Sequence, residues 1–319
     1  MKEHVYAGID VGGTFVKIGL VTKDGEVLSK TQIPSQIDQP AKNMLKRAAQ
    51  TIHDLLKAQK NCKLKGVGIG TAGAVNVDEG ILYEAPNMPD WENEPFGEIL
   101  SDLLGVPVVL DNDANVAAWG EYAYGAGRGS KYMLMVTLGT GVGGGLVLDG
   151  KPFRGAIDAG GEFGHVKLDF NGWVCACGCK GCVEAYVGTR GILRQVREGL
   201  KKYPDSLLSK VNPENIMPVD VSMAANEGDA LAIEVLRQTG EYLGYSLANV
   251  VNLLNIQRVV VGGGVAKAGD WILKPAFDAM KADSMRVPGE IVDLLPAELG
   301  NSAGLVGAAW LSAFRSGDL

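Results

Sequence analysis

The sequence predicts an α/β protein built twice over on one plan. Two observations lead there. Short apolar runs rich in Val and Ile alternate along the chain with segments of helical periodicity. A strand, a glycine-rich turn and a second strand occur together near the start and again near the middle, so each half opens on its own hairpin. With 319 residues, 46% of them hydrophobic, the chain is long enough for two domains or one large one, with real cores. Its 44 glycines are about twice the usual share, but they cluster in loops and do not repeat.

Taken in order, VYAGID and FVKIGLV read as strands around the turn VGGT, and GEVLSKTQI follows as a third strand. Residues 42–60 place Leu45, Ala48, Ala49, Ile52, Leu55 and Leu56 on one helical face. GVGIGTAGAV is a buried strand entering a glycine turn, and the prolines of residues 86–95 mark a loop. PVVLDND is a short strand that ends polar, with a helix over 114–124. KYMLMVTLGTGVGGGLVLDGKPF repeats the opening hairpin. Beyond the cysteine-rich stretch, helices are expected over 189–203, 222–227 and 230–254. Then come a strand at 258–261 and helices over 270–282 and 302–314. The expected division is 1–114 plus 300–319 as a smaller domain and 115–299 as a larger one, with the hinge near 113–116.

A net charge of −7 argues against a nucleic-acid partner, which needs a basic face. No apolar run is long and unbroken enough for a membrane helix; residues 132–148 come nearest and are full of glycine. MKEHVYAGID lacks a signal-peptide pattern, and thiols without export point to the cytoplasm.

Three glycine clusters are candidate phosphate contacts. In the first, Gly12 and Gly13 let backbone N–H groups approach phosphate oxygens, Thr14 adds a hydroxyl, Lys17 adds charge and Asp10 is placed to hold Mg²⁺ through water. An ordinary hairpin turn explains the motif equally well. In the second, LGTGVGGG, Gly139, Gly141 and Gly144 match G-x-G-x-x-G. The dinucleotide fingerprint requires a helix next, whereas LVLDG reads as strand and turn, so a nicotinamide oxidoreductase is excluded. A phosphate-gripping hairpin through Gly139, Thr140, Gly141 and Gly143 is kept. Gly263 and Gly264 form the third cluster, at a strand–helix turn that can pass close to adenine or ribose.

Asp111, Asn112 and Asp113 close a buried strand and open a helix. Capping accounts for one such residue. Three in a row favour a substrate site in which one carboxylate takes a hydroxyl proton. Four of the five cysteines fall at Cys175, Cys177, Cys179 and Cys182, ten to seventeen residues after His165. Three thiolates and an imidazole are the ligand set of a closed tetrahedral zinc site. Disulfides fit Cys-x-Cys spacing poorly, and unliganded buried thiols are the remaining alternative. Which three cysteines bind is not decided by spacing. Glu162 and Glu184 flank the cluster, so a metal clamp would hold two carboxylates near one point.

Over nearly its whole length the chain resembles the ROK family of sugar kinases, most closely its bacterial glucokinases. The resemblance rests on DVGGT, LDNDANVAA, LGTGVGGG, GGEFGH, CACGCKGCVE and VVVGGG. The pattern C-x-C-G-x-x-G-C-x-E fits Cys175 through Glu184 in full, with Cys179 at a variable position. It implies an actin-like (ribonuclease H-like) two-domain sugar kinase fold with the active site in the interdomain cleft, and a homodimer. It implies ATP-dependent phosphorylation of the glucose 6-hydroxyl, with ATP, Mg²⁺ and a structural Zn²⁺. Asp113 matches the family's base, and Asn112, Glu162, His165 and Glu184 match the residues that grip sugar hydroxyls; Gly73 and Asn87 join that pocket. His165, Cys175, Cys177 and Cys182 match the zinc ligands. Asp111 stands where many of the family's glucokinases have Glu, which keeps kinases for N-acetylglucosamine, N-acetylmannosamine or fructose as alternatives. A sugar-binding regulator without catalysis is the remote alternative, since the first strand begins too early to leave room for a helix-turn-helix.

Overall fold

Val5, Ala7, Ile9 and Val11 alternate along the first strand and feed one core, while Tyr6 between them joins another. A strand buried on both faces reads as a continuous apolar run. The computed structural model describes residues 3–85, 88, 90–212 and 214–319. Its contacts divide the chain into two compact units. One is Met1–Gly129, Gly145–Gly161 and Glu298–Leu319; the other is Ser130–Gly144 and Glu162–Ala297. The helix that follows Asn112, and the segment after Gly144, are thus grouped with the first unit.

In chain order the first unit opens with β1 (Glu3–Val11), β2 (Phe15–Thr22), β3 (Val27–Pro34), α1 (Ala41–Ala58) and β4 (Cys62–Thr71). It continues with β5 (Ala74–Asn76), β6 (Ile81–Glu84), α2 (Phe96–Leu104), β7 (Val108–Asn112) and α3 (Asp113–Tyr124). The main sheet has the order β3-β2-β1-β4-β7. β1, β2 and β3 pair antiparallel, and β1, β4 and β7 run parallel. α1 lays Met44, Leu45, Ala48 and Ile52 on one face. The hairpin of β5 and β6, and α2, were not expected from the sequence.

The later elements are β8 (Met133–Leu138), β9 (Val142–Leu148), β10 (Lys151–Phe153), α4 (Glu184–Val187), α5 (Thr189–Gly199), α6 (Pro218–Asn226) and α7 (Ala230–Leu254). After them come β11 (Arg258–Gly262), α8 (Asp270–Asp283), α9 (Arg286–Ile291), β12 (Asp293–Pro296) and α10 (Ala303–Arg315). The second sheet has the order β10-β9-β8-β11-β12, and β8, β11 and β12 run parallel. Both sheets therefore share one order, three strands in antiparallel succession followed by two parallel additions, as the repeated hairpin predicts. α6 starts four residues earlier than the sequence indicated, because Pro218 takes the first helical position, where its missing N–H costs nothing.

α10 returns to the first unit and crosses its sheet at very close range. A Cβ on Gly68 would lie 1.7 Å from the Ala308 carbonyl oxygen. Only glycine lets the two backbones meet there. Gly68→Ala must push α10 off β4, and overpacking of this kind costs about 1–3 kcal/mol or more. A lower urea midpoint with unchanged slope is the expected result; an unchanged midpoint would show that α10 shifts freely.

Candidate active site

The parallel register of the first unit lines up the C-terminal ends of its strands. Val11 pairs with Thr71, and Thr71 with Asn112. The first glycine turn, the Gly73 turn and the LDND segment therefore gather at one edge. In that first turn, Gly12 N–H donates to the Phe15 carbonyl at 3.1 Å, which closes the tight bend carrying Gly13 and Thr14. Asp10 sits opposite Lys17 in the β1–β2 pair, and the Lys17 ammonium meets Asp10 Oδ2 at 2.8 Å. Lys17 also reaches the Asn301 carbonyl at 3.4 Å.

The three polar residues after Leu110 have separate duties. Asn112 is the N-cap of α3, its Oδ1 accepting from the N–H groups of Ala114 and Asn115 at 2.9 and 3.4 Å. Its Nδ2 donates to the Gly73 carbonyl at 3.2 Å, so Gly73 and Asn112 stand side by side. Asp113 begins the helix, and its Oδ1 accepts from Ala114 N–H at 2.8 Å. Asp111 is fully buried and ion-paired to Arg154. Sequence reasoning missed Arg154, which no motif marks. Asn87 lies outside the described residues.

In the second unit, Gly139 N–H donates to the Gly141 carbonyl at 2.9 Å, and Thr189, at the start of α5, donates its N–H and hydroxyl to the Gly139 carbonyl at 3.0 and 2.9 Å. Thr140 is thus held at the tip of a pinned turn, and Gly143 lies in β9. Gly262 pairs in register with Thr137, so Gly263 and Gly264 leave the sheet beside that turn.

The cysteine segment folds into a compact knuckle. Cys175 N–H donates to the Cys179 carbonyl at 2.8 Å and Gly178 N–H to the Cys175 carbonyl at 3.0 Å. Gly181 takes φ +68°, and a Cβ there would lie 1.5 Å from the Asp169 carbonyl oxygen, so this position admits only glycine. Trp173 stacks on Tyr186 with centroids 4.6 Å apart, and Arg194 covers the Trp173 ring at 4.2 Å. The result brings one ligand atom each from His165, Cys175, Cys177 and Cys182 within 4.8 Å of one another. Cys179 is exposed and is not one of the four.

These atoms fit a tetrahedral metal. Zinc–sulfur bonds of about 2.3 Å at tetrahedral angles set sulfurs about 3.8 Å apart. Cys177 Sγ and Cys182 Sγ are 3.8 Å apart, and Cys175 Sγ lies 3.9 Å from His165 Nδ1. Burial pushes the Cys175 thiol up to about 12 and raises Cys182, while the Cys179 backbone N–H holds Cys177 down at about 7. Soft thiolates and an imidazole with no hard oxygen among the four select zinc over magnesium or calcium.

Both flanking carboxylates touch this cluster. His165 turns Nε2 toward Glu162, 3.9 Å away, and Nδ1 toward Cys175. Glu184 Oε1 accepts from the Cys175 thiol at 3.2 Å, and its Oε2 accepts from Val142 N–H, at the end of the second glycine turn, at 3.1 Å.

Comparison with known proteins agrees with this arrangement. The family model described as ROK family matches residues 6–314. A glucokinase of Halalkalibacterium halodurans is 37% identical, over 98% of this chain and 96% of its own length. The structure of a ROK family glucokinase from Streptomyces griseus, in complex with glucose and AMPPNP, superposes with a TM-score of 0.80 at 33% identity, covering 97% of this chain and 99% of that one. A xylose repressor of Caldicellulosiruptor bescii is 31% identical over 84% of this chain and 67% of its own length. With the motifs, the doubled sheet and the matched span in agreement, the chain belongs to the ROK family.

Proposed function

We propose that this protein, a ROK sugar kinase, phosphorylates glucose at its 6-hydroxyl at the expense of ATP, in the cytoplasm and as a homodimer. The observation that carries the reading is Glu184. One of its oxygens rests on the Cys/His cluster and the other on the second glycine turn, so a sugar-binding carboxylate and a phosphate-binding loop share one support. The ATP and glucose assignments draw on the Streptomyces griseus glucokinase, whose structure holds glucose and AMPPNP.

In the proposed mechanism Asp113 accepts the proton of the attacking hydroxyl, within the range open to general-base catalysis. Asn112, Gly73, Asn87, Glu162, His165 and Glu184 hold the sugar hydroxyls. His165 suits a double duty, with Nδ1 toward the cluster and Nε2 free of it. The amides of Gly13, Gly141 and Gly143, with the hydroxyls of Thr14 and Thr140 and the Lys17 ammonium, cradle the phosphates, while Gly12 and Gly139 spend their own N–H groups closing the two turns. Gly263 and Gly264 border the nucleoside. Phosphoryl transfer proceeds through a charge-rich, in-line transition state, so positioning and electrostatics supply most of the catalysis. Asp10 is the residue that would hold Mg²⁺; one carboxylate suits an ion that keeps most of its waters and binds phosphate oxygens. Bound there, Mg²⁺ would neutralise phosphate charge. Zinc on His165, Cys175, Cys177 and Cys182 would be structural, since four protein ligands leave no open position.

A coupled ADP-release assay over glucose, mannose, fructose, N-acetylglucosamine and N-acetylmannosamine tests this. Glucose is expected to give the highest kcat/KM. Preference for another sugar would keep the kinase and change its substrate. No ADP release with any sugar would leave a sugar-binding regulator.

A further inference from the structure

Asp111 is buried at 0% exposure at the end of β7, one residue before the helix cap and two before Asp113. Both of its oxygens are committed. Oδ1 accepts from Asn112 N–H at 2.8 Å and from Asn115 Nδ2 at 3.0 Å. Oδ2 accepts from Arg154 Nε at 2.8 Å and Arg154 Nη2 at 2.6 Å. The carboxylate thus fixes the peptide entering Asn112 and, through Asn115, the first turn of α3.

A buried carboxylate left without a counter-charge carries the full desolvation cost of an unpaired anion. Arg154 supplies that charge from a side chain only 14% exposed. Its own backbone is fixed as well. Gly160 N–H donates to the Arg154 carbonyl at 2.7 Å, closing the 154–160 loop, and Asp158 Oδ2 accepts from Val77 N–H at 2.9 Å, pinning that loop to the segment after β5.

We propose that Arg154 is a positioning residue for the strand end that carries Asn112 and Asp113. It neutralises Asp111 and so sets the angle at which the chain enters α3. The proposal rests on the reading of Asp113 as the base. Without Arg154, Oδ2 of Asp111 loses both its donors inside the protein, and the strand end must shift to bring it water or another donor, which loosens the bonds to Asn112 and Asn115. Asp113 follows, because it lies two residues further along the same strand end.

The test compares R154M, the double variant R154M/D111N, and D113N, reading kcat, KM for sugar and for ATP, and amide hydrogen exchange. R154M should lower kcat by about 10²-fold, the scale of a 1 Å misplacement, with KM for ATP unchanged. Exchange at the amides of Asn112, Ala114 and Asn115 should quicken while α7 keeps its protection. In the double variant the side chain at position 111 is a neutral amide that can still accept from Asn112 and Asn115, so kcat should recover to at least about tenfold above R154M, a non-additive pair. A purely structural arginine would give losses that add.

Wild-type kcat and exchange in R154M would overturn the proposal, as would a double variant no faster than R154M. If R154M fails to fold, the double variant decides: folded and active supports the proposal, and unfolded makes Arg154 a pillar of the fold and overturns it. D113N separates the two readings. Wild-type kcat there removes the base, while exchange in R154M still reports whether Arg154 sets the strand end.

Discussion

Asp113→Asn is expected to lower kcat by about 10²–10⁴-fold, the usual contribution of general acid–base catalysis, and to change sugar KM far less. The substitution preserves the side-chain outline and leaves an oxygen to accept from Ala114 N–H, now met at 2.8 Å. The start of α3 should therefore keep its geometry, capped as it is by Asn112. What the amide cannot do is take the hydroxyl proton. Steady-state ADP release at saturating glucose, alongside a melting curve, measures the effect. A variant that melts like the wild type and retains near-wild-type kcat would reduce Asp113 to a helix residue with no part in proton transfer.

How much of this was legible beforehand depended on whether the cause was local. The β1 and β4 runs announce themselves because both faces are buried, and α1 because its apolar stripe is one-sided. The doubled sheet follows from the repeated hairpin, since each glycine turn joins two antiparallel strands of its own sheet. β12 has only four residues, half-exposed or exposed, and exists because β11 offers it a parallel edge, which no four-residue window reveals. β5 and β6 escaped notice for the same reason.

At the site, the LDND run drew attention by its composition, but the division of labour within it did not. Asn112 as cap, Asp111 in a buried ion pair and Asp113 at the first position of α3 are distinguished only by what surrounds them. The partner that pairs with Asp111 is Arg154, 43 residues along the chain in a loop with no motif. The cysteine segment is the opposite case. Its glycines and thiols lie within a few turns of each other, so spacing alone limits the ligand set. Even there the choice against Cys179 came from the resemblance and not from spacing. The geometry that separates Cys179 is the knuckle itself, in which it offers its backbone carbonyl to Cys175 while its sulfur stays outside the four ligand atoms gathered within 4.8 Å.

Cys177→Ser or Cys182→Ser should abolish both zinc content and kinase activity while leaving a largely folded, ATP-binding protein, and Cys179→Ser should do neither. The wild type should carry one zinc per chain. Three thiolates and an imidazole bind zinc with about 10–16 kcal/mol in small domains, and a serine hydroxyl is a far harder, weaker donor than the thiolate it replaces. Global unfolding is not expected, because the second unit has a core apart from the knuckle, built on buried residues such as Leu243, Leu247 and Ile272. The loss falls instead on the stretch from Glu162 to Glu184. His165 would lose its Nδ1 anchor and with it the orientation of Nε2 toward Glu162. Glu184 would keep its Val142 N–H, but Cys175, whose Sγ lies 3.2 Å from the other Glu184 oxygen, would no longer be held in place by the metal. A displacement of about 1 Å at such groups costs 10²-fold in rate, and three of them would move together. Metal analysis of the purified variants, with ADP release and nucleotide binding on the same samples, decides the matter. Zinc kept in Cys177→Ser but lost in Cys179→Ser would place the wrong thiol in the clamp. A wild-type protein without zinc would leave the knuckle to its hydrogen bonds, the Gly181 turn and the Trp173–Tyr186 stack.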